Sequence, residues 1–174
     1  MNYGTPKYVS SGANVEPSQD AWTESTTGWS NATYSLNADK VIGNWSIQVQ
    51  ENVGFGSFKY DFPAAIDVSL TSSFVMWTKN ITKSFNTSWI FFHEDAGKYF
   101  QYEVDANIFP ADWSKQSFTL ASFTQVGEAS WTNITYMVIS GTFGNPYWRG
   151  LIDKMYFSTG TVSYGTPTYG TPAY

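Results

Sequence analysis

Apolar residues recur along this chain with a period of two. No window of useful length carries a strong 3.6-residue repeat, so the pattern predicts strands rather than helices. In residues 41–50, Ile42, Ile47 and Val49 are set against Asn44, Ser46 and Gln48. Residues 74–79 (Phe-Val-Met-Trp-Thr-Lys) are apolar on both faces, which predicts a central strand, and residues 89–93 read similarly. Asp95-Ala96-Gly97 predicts a hairpin turn into a strand over 98–104. Further strands are expected at 116–120, 135–140 and 151–157, with short helical turns starting at 67–69 and 129–131. Short strands punctuated by Gly, Pro, Asn and Asp imply an all-β fold, a two-sheet antiparallel β-sandwich of the jelly-roll kind.

Composition sharpens this picture. A chain of 174 residues suits one domain with a sizeable core. Aromatics make up 19% and charged residues only 13%, a mixture that suits pleated surfaces and an extracellular setting. So many rings exceed what a sandwich core needs, and some are expected to face outward. The net charge of -5 leaves no basic stripe for phosphates, which excludes nucleic acid and anionic membrane surfaces as partners. No apolar run of about 18 residues is present, so no membrane insertion is expected. There is no Cys, which removes disulfides, thiol catalysis and Cys-ligated zinc.

The ends carry a repeat. Tyr3-Gly4-Thr5-Pro6 recurs as Tyr164-Gly165-Thr166-Pro167 and Tyr169-Gly170-Thr171-Pro172. Pro and Gly make such segments extended and turn-rich. The division expected is an N-terminal tail at 1–12, a sandwich domain at 13–160 and a C-terminal tail at 161–174. The tails read either as flexible linkers or as assembly segments that add strand-like contacts to another subunit. The first seven residues lack the apolar core of a signal peptide. Two readings of that follow: a processed or recombinant piece, or a protein that leaves its cell without such a signal, as a virion protein does at lysis.

Several motifs, taken in order, carry a resemblance. They are Val15-Glu16 before Trp22, Gly43-Asn44-Trp45-Ser46-Ile47-Gln48-Val49, and Ala65-Ile66-Asp67-Val68-Ser69 leading to residues 74–79. The strand-Asp-Gly-strand hairpin at 90–99 and the Trp-led segment 113–123 follow. Last come a Trp-led strand from Trp131 and, after a Gly/Pro-rich loop, Gly150-Leu151-Ile152-Asp153-Lys154-Met155-Tyr156-Phe157. Over about residues 13–158 the chain resembles the galactose-binding-like jelly-roll family of carbohydrate-binding modules. The last two strands resemble that family's closing hairpin, whose Asp helps anchor both chain ends, often through calcium.

The resemblance implies two sites. Glu16 and Asp153 match the acidic positions of a structural calcium. The ion needs six to eight hard oxygens, so backbone carbonyls near Asp39 to Asn44 would complete the shell. The alternative is that Asp153 hydrogen-bonds a loop backbone and Glu16 is solvated. A glycan-binding face needs exposed rings for stacking and polar side chains for hydroxyls. If Phe74, Met76, Ile90, Phe92, Phe100 and Tyr102 face the core, then Trp77 and Lys79, Trp89, Phe91 and His93, and Tyr99, Gln101 and Glu103 face out. Trp77, Trp89, His93, Tyr99, Gln101 and Glu103 are the candidate carbohydrate contacts, expected to share one surface. The alternative is that loops or another subunit cover them.

Catalysis is poorly supported. His93, the only histidine, has no Ser or Cys partner in a recognisable triad pattern. Glu94, Asp95, Glu103 and Asp105 read as solvated residues around a hairpin. Asn-x-Ser/Thr sequons stand at Asn31, Asn44, Asn80, Asn86 and Asn133, candidate glycosylation sites of an extracellular surface. The expected function is that of a non-catalytic, carbohydrate-binding-module-like domain on an extracellular or virion surface, with calcium as its one cofactor. The alternative is a self-assembling subunit of a fibre, tubule or virion, joined through its tails or edge strands.

Overall fold

Strand alternation is realised over most of the described residues. The computed structural model describes residues 22–51, 55–82, 85–104, 107–143 and 148–159. In chain order the strands are β1 (Trp29–Ser30), β2 (Thr33–Asn37), β3 (Ser46–Glu51), β4 (Phe55–Ile66), β5 (Ser73–Thr82) and β6 (Phe85–His93). They continue as β7 (Tyr99–Val104), β8 (Ser114–Thr119), β9 (Thr124–Val126), β10 (Ile134–Phe143) and β11 (Trp148–Ser158). A single 3-10 turn, Leu120–Ser122, is the one helical element among the described residues.

The strands form two sheets. The first runs β1-β4-β10-β6-β7-β9 and the second β2-β3-β11-β5-β8, with antiparallel pairing throughout. This is the two-sheet β-sandwich that the alternation predicts. Phe58, Ile90, Phe92, Met137 and Ile139 of the first sheet and Ile47, Val49, Phe74, Met76 and Phe157 of the second are fully buried between them. Rings dominate this core: Phe74, Phe92 and Phe157 meet at centroid distances of 5.1–5.3 Å. Trp131 stacks on Phe100 at 3.8 Å. A large share of the aromatic content is therefore structural.

Two irregularities set the geometry. Between β11 and β5 the register runs Asp153↔Trp77 and then Tyr156↔Val75, so β11 carries one extra residue. Lys154 takes a left-handed φ of 47° within this bulge. The bulge lets Ile152 and Met155 both point inward while Asp153 points out, where a regular strand would have set Ile152 and Met155 on opposite faces. In β4 the register against β10 breaks between Asp61 and Ile66. Pro63 lies within that break, where its missing N–H leaves no gap in the ladder.

The structure corrects three local expectations. The last two strands do not form a hairpin: β10 lies in the first sheet between β4 and β6, and β11 in the second between β3 and β5. Residues 41–45 are a loop rather than the first half of a strand, because side-chain carboxylates capture their N–H groups in place of a neighbouring strand. Residues 67–69 and 129–131 are turns without helix. At the first, Asp67 Oδ1 accepts from the Ser69 amide and hydroxyl, a local closure that competes with helix. The terminal repeats at 1–12 and 161–174 lie outside the described residues.

Candidate functional site

Antiparallel pairing aligns the outward residues of the first sheet into rows that cross the strands. One row reads Asp61, Tyr136, His93, Tyr99 and Val126 across β4, β10, β6, β7 and β9. The next reads Lys59, Val138, Phe91, Gln101 and Thr124, and a third Ser57, Ser140, Trp89 and Glu103. The intervening positions, Phe58, Tyr60, Ile90, Phe92, Phe100, Met137 and Ile139, are the buried ones. Five of the six candidate carbohydrate contacts, Trp89, His93, Tyr99, Gln101 and Glu103, thus share one surface. Trp89, His93, Tyr99 and Gln101 are half-buried and Glu103 is exposed.

The rings on this surface form one continuous cluster. His93 and Tyr136 have centroids 4.4 Å apart and planes 13° apart. Rings lying flat side by side cannot approach so closely, so these two stand upright from the sheet and share a face. Tyr99 flanks His93 on the other side at 5.0 Å. The Lys59 ammonium, reaching from β4, sits 4.2 Å from the Tyr136 centroid and pairs with Asp61 at 2.7 Å. In this ladder the ring faces are largely occupied by one another, and what remains for a ligand is the edges. Phe91 joins the cluster at 5.9 Å from both His93 and Tyr99, and Trp89 stacks on Phe91 at 6.1 Å with planes 21° apart.

The tautomer of His93 follows from its partner. Nδ1 lies 3.1 Å from the Asp95 carbonyl oxygen, which can only accept, so Nδ1 carries the hydrogen and Nε2 is left as an acceptor. Burial lowers the His93 pKa below the usual imidazole value, opposed by the Asp95 carbonyl and reinforced by the nearby Lys59 charge. Burial likewise raises the Tyr136 phenol above its usual value, so its hydroxyl keeps its proton. The edge of the ladder therefore offers phenol hydroxyls that donate and accept, and an imidazole nitrogen that accepts.

Trp77 is set apart from this surface. Its strand, β5, belongs to the second sheet, where it pairs with Asp153 on one side and Lys115 on the other. The single surface expected for Trp77 and Trp89 is therefore corrected to two opposite faces of the sandwich. Alternation correctly turned Trp77 away from the core but carried no information on which sheet its strand joins.

The loop between β2 and β3 is fastened against part of the second sheet's outer face. Leu151 and Asp153 point outward from β11 yet are fully buried. Asp153 Oδ2 accepts from the backbone N–H of Val41 at 2.5 Å and of Ile42 at 3.0 Å. Its Oδ1 accepts from the Thr23 hydroxyl at 3.2 Å and from the Lys154 N–H at 2.7 Å. Glu24 Oε1 accepts from the N–H groups of Asn44 and Trp45. Asp39, within the loop, pairs with Lys79 at 2.7 Å and accepts from Trp113 Nε1 at 2.8 Å, and these two bonds lower its pKa. The loop is thus fastened by three carboxylates.

Of the two residues matched to calcium, Asp153 has its lone pairs filled by four hydrogen-bond donors, and Glu16 lies outside the described residues. Among the described residues no three His, Asp or Glu side chains come together in a metal-holding group. Of the sequons, Asn31, Asn44 and Asn133 are exposed, and Asn80 is half-buried in β5. The Asn86 side chain lies outside the described residues. Asp95 acts as a turn residue, its Oδ1 accepting from the N–H groups of Gly97 and Lys98.

Sequence reasoning missed Tyr136, Lys59 and Asp61. The signal for Tyr136 was present: Met137 and Ile139 mark the buried side of its strand. Lys59 and Asp61 were hidden because glycines and Pro63 made β4 read as loop.

The architecture is that of jelly-roll β-sandwiches found among carbohydrate-binding modules. A family 11 carbohydrate-binding module from Clostridium thermocellum, in complex with a beta-1,3-1,4-mixed-linked tetrasaccharide, superposes with a TM-score of 0.61 at 13% identity, covering 78% of this chain and 91% of that one. A family 16 carbohydrate-binding module gives 0.51 at 13% identity, with 80% and 97% covered. An exo-beta-agarase gives 0.61 at 10% identity, with 80% of this chain but 24% of the agarase chain covered. Likeness at such identities establishes the fold. No protein-family model and no curated protein matches the chain.

Proposed function

We propose that this domain binds carbohydrate, without catalysis, on the outer face of its first sheet. The observation that carries the reading is the continuous ring surface there. Trp89 and Phe91, half-buried and stacked at 6.1 Å, offer apolar ring surface to sugar C–H groups. The upright ladder of Tyr136, His93 and Tyr99 offers polar edges to sugar hydroxyls, with Gln101 and Glu103 in the neighbouring rows. Rows that cross four or five strands at about 4.8 Å each span roughly 15–20 Å, which suits several sugar units of one chain. The likeness in fold to carbohydrate-binding modules supports the same reading.

The charges favour a neutral polysaccharide. Along these rows the one cation, Lys59, is already paired with Asp61, and Glu103 adds a further negative charge. A uronate or sulfate chain would meet repulsion here rather than a partner. A domain of this kind works where its polysaccharide is, outside the cell or on a virion surface.

The test is affinity electrophoresis and calorimetry against mixed-linked β-glucan, agarose and an acidic polysaccharide such as alginate. Retardation by a neutral polymer, lost in Trp89→Ala, is the expected result. Binding to alginate alone, or neutral binding that survives Trp89→Ala unchanged, would overturn the assignment.

A further inference from the structure

We infer that the β2–β3 loop and the segment carrying Thr23 are fastened to the last strand by protein donors in place of a divalent cation, so that folding and melting are independent of calcium. The inference rests on how the oxygens around Asp153 are used, and it stands apart from the carbohydrate reading.

A calcium ion at this place would need carboxylate and carbonyl lone pairs turned toward it. The Asp153 carboxylate instead faces donors on both oxygens. Two of these are the consecutive amides of Val41 and Ile42, which present positive N–H ends to Oδ2. A cation there would displace these hydrogens and leave two half-buried amides without this partner. Two of the loop carbonyls are also engaged. That of Asp39 accepts from the Ser46 hydroxyl at 2.6 Å, and that of Asn44 accepts from the Lys40 ammonium at 2.8 Å. Two ammonium groups, Lys40 on the loop carbonyl and Lys79 on the Asp39 carboxylate, supply positive charge in the same loop. A carboxylate that accepts several N–H and O–H hydrogen bonds has its lone pairs satisfied without a metal. Thr23 and Asp153 stand 130 positions apart, so the bond between them closes nearly the whole domain.

The experiment is thermal melting of the full chain in millimolar calcium and in excess EDTA, with metal analysis of the purified protein. The expected result is one melting temperature in both conditions and less than a tenth of an equivalent of calcium. A rise of more than about 2 °C in calcium, or a stoichiometric bound ion, overturns the inference. Asp153→Asn gives the second arm. Turning an acceptor into a donor against these amides should lower the melting temperature by roughly 5–10 °C in both conditions alike. A drop seen only in calcium would show that the wild type had held the ion. Should Asp153→Asn fail to fold, Thr23→Val removes one donor, and its smaller loss is read in the same two conditions.

Discussion

The imidazole of His93 lies face to face with the phenol of Tyr136, centroids 4.4 Å apart. Each ring covers a face of the other, so the phenol hydroxyl is the part of Tyr136 left to a ligand. Tyr136→Phe keeps the stack and removes only that hydroxyl. It should weaken polysaccharide binding about fivefold, the worth of one hydrogen bond of about 1 kcal/mol, with no change in melting temperature. Calorimetry on the two proteins checks this. Unchanged affinity would mean that the ladder is merely packing.

Trp89 is half-buried on the outer face of the first sheet and stacks on Phe91 at 6.1 Å. Truncating an aromatic anchor costs about 2 kcal/mol in a typical binding site, which is roughly 30-fold in affinity. Trp89→Ala should show that loss in titrations against the best neutral polymer. Its stability should hardly change, because the side chain stands on the outer surface.

Trp77 supplies the control. It lies on the outer side of the other sheet, beyond a core about 10 Å thick. Trp77→Ala should leave affinity within about twofold of the parent, since distant sites act independently. A loss comparable with that of Trp89→Ala would relocate the binding face to the second sheet.

The single histidine gives an unambiguous probe of the surface. Burial lowers the folded pKa of His93 below its unfolded value of about 6.5. Between the two values the unfolded chain holds the proton and the folded chain does not. The associated stability is therefore complete above about pH 6.5 and is lost as pH falls through the folded pKa. Protonation also turns the Nε2 acceptor into a donor and adds charge beside Lys59, with Asp61 and Asp95 nearby to offset it. The imidazole resonance should titrate with a midpoint below 6.5, and affinity should weaken through that midpoint. His93→Gln should flatten the binding profile over the same range. A midpoint at or above about 6.5 would contradict the half-buried, neutral ring.

Gly150 faces the core beneath Trp148. A Cβ there would come within 2.4 Å of Trp148 Cζ2 and 2.9 Å of Phe109 Cδ1. Trp148 is fully buried, stacked near Phe58 at 6.4 Å and edge-on to Phe109 at 4.8 Å, so it has little room to yield. Gly150→Ala should cost about 1–3 kcal/mol, read as a melting temperature lowered by roughly 3–10 °C.

Strands whose inner and outer positions differ sharply were legible in the sequence. β6 and β7 carry Ile90, Phe92 and Phe100 inward, and Trp89, His93 and Tyr99 followed as outward residues from the period of two. β4 was not legible, because Gly54, Gly56 and Pro63 look like breaks, whereas Pro63 occupies a bulge. Sheet membership was beyond reach for the same reason that put Trp77 with Trp89: alternation is a property of one strand, and partners are chosen by the whole core. The anchoring role of Asp153 followed from the resemblance of its strand. Its donors did not, since Thr23, Val41 and Ile42 lie 111–130 positions away.

On the proposed reading, the sugar-binding rows lie on the first sheet alone among the described residues. A domain that binds in this way would be monovalent toward a long polymer. It would hold one strand of polysaccharide without bridging two, so a single copy would coat a glycan matrix without gelling it. Cross-linking would require copies joined in series, and their combined hold would then depend on spacing along the polymer rather than on any new contact.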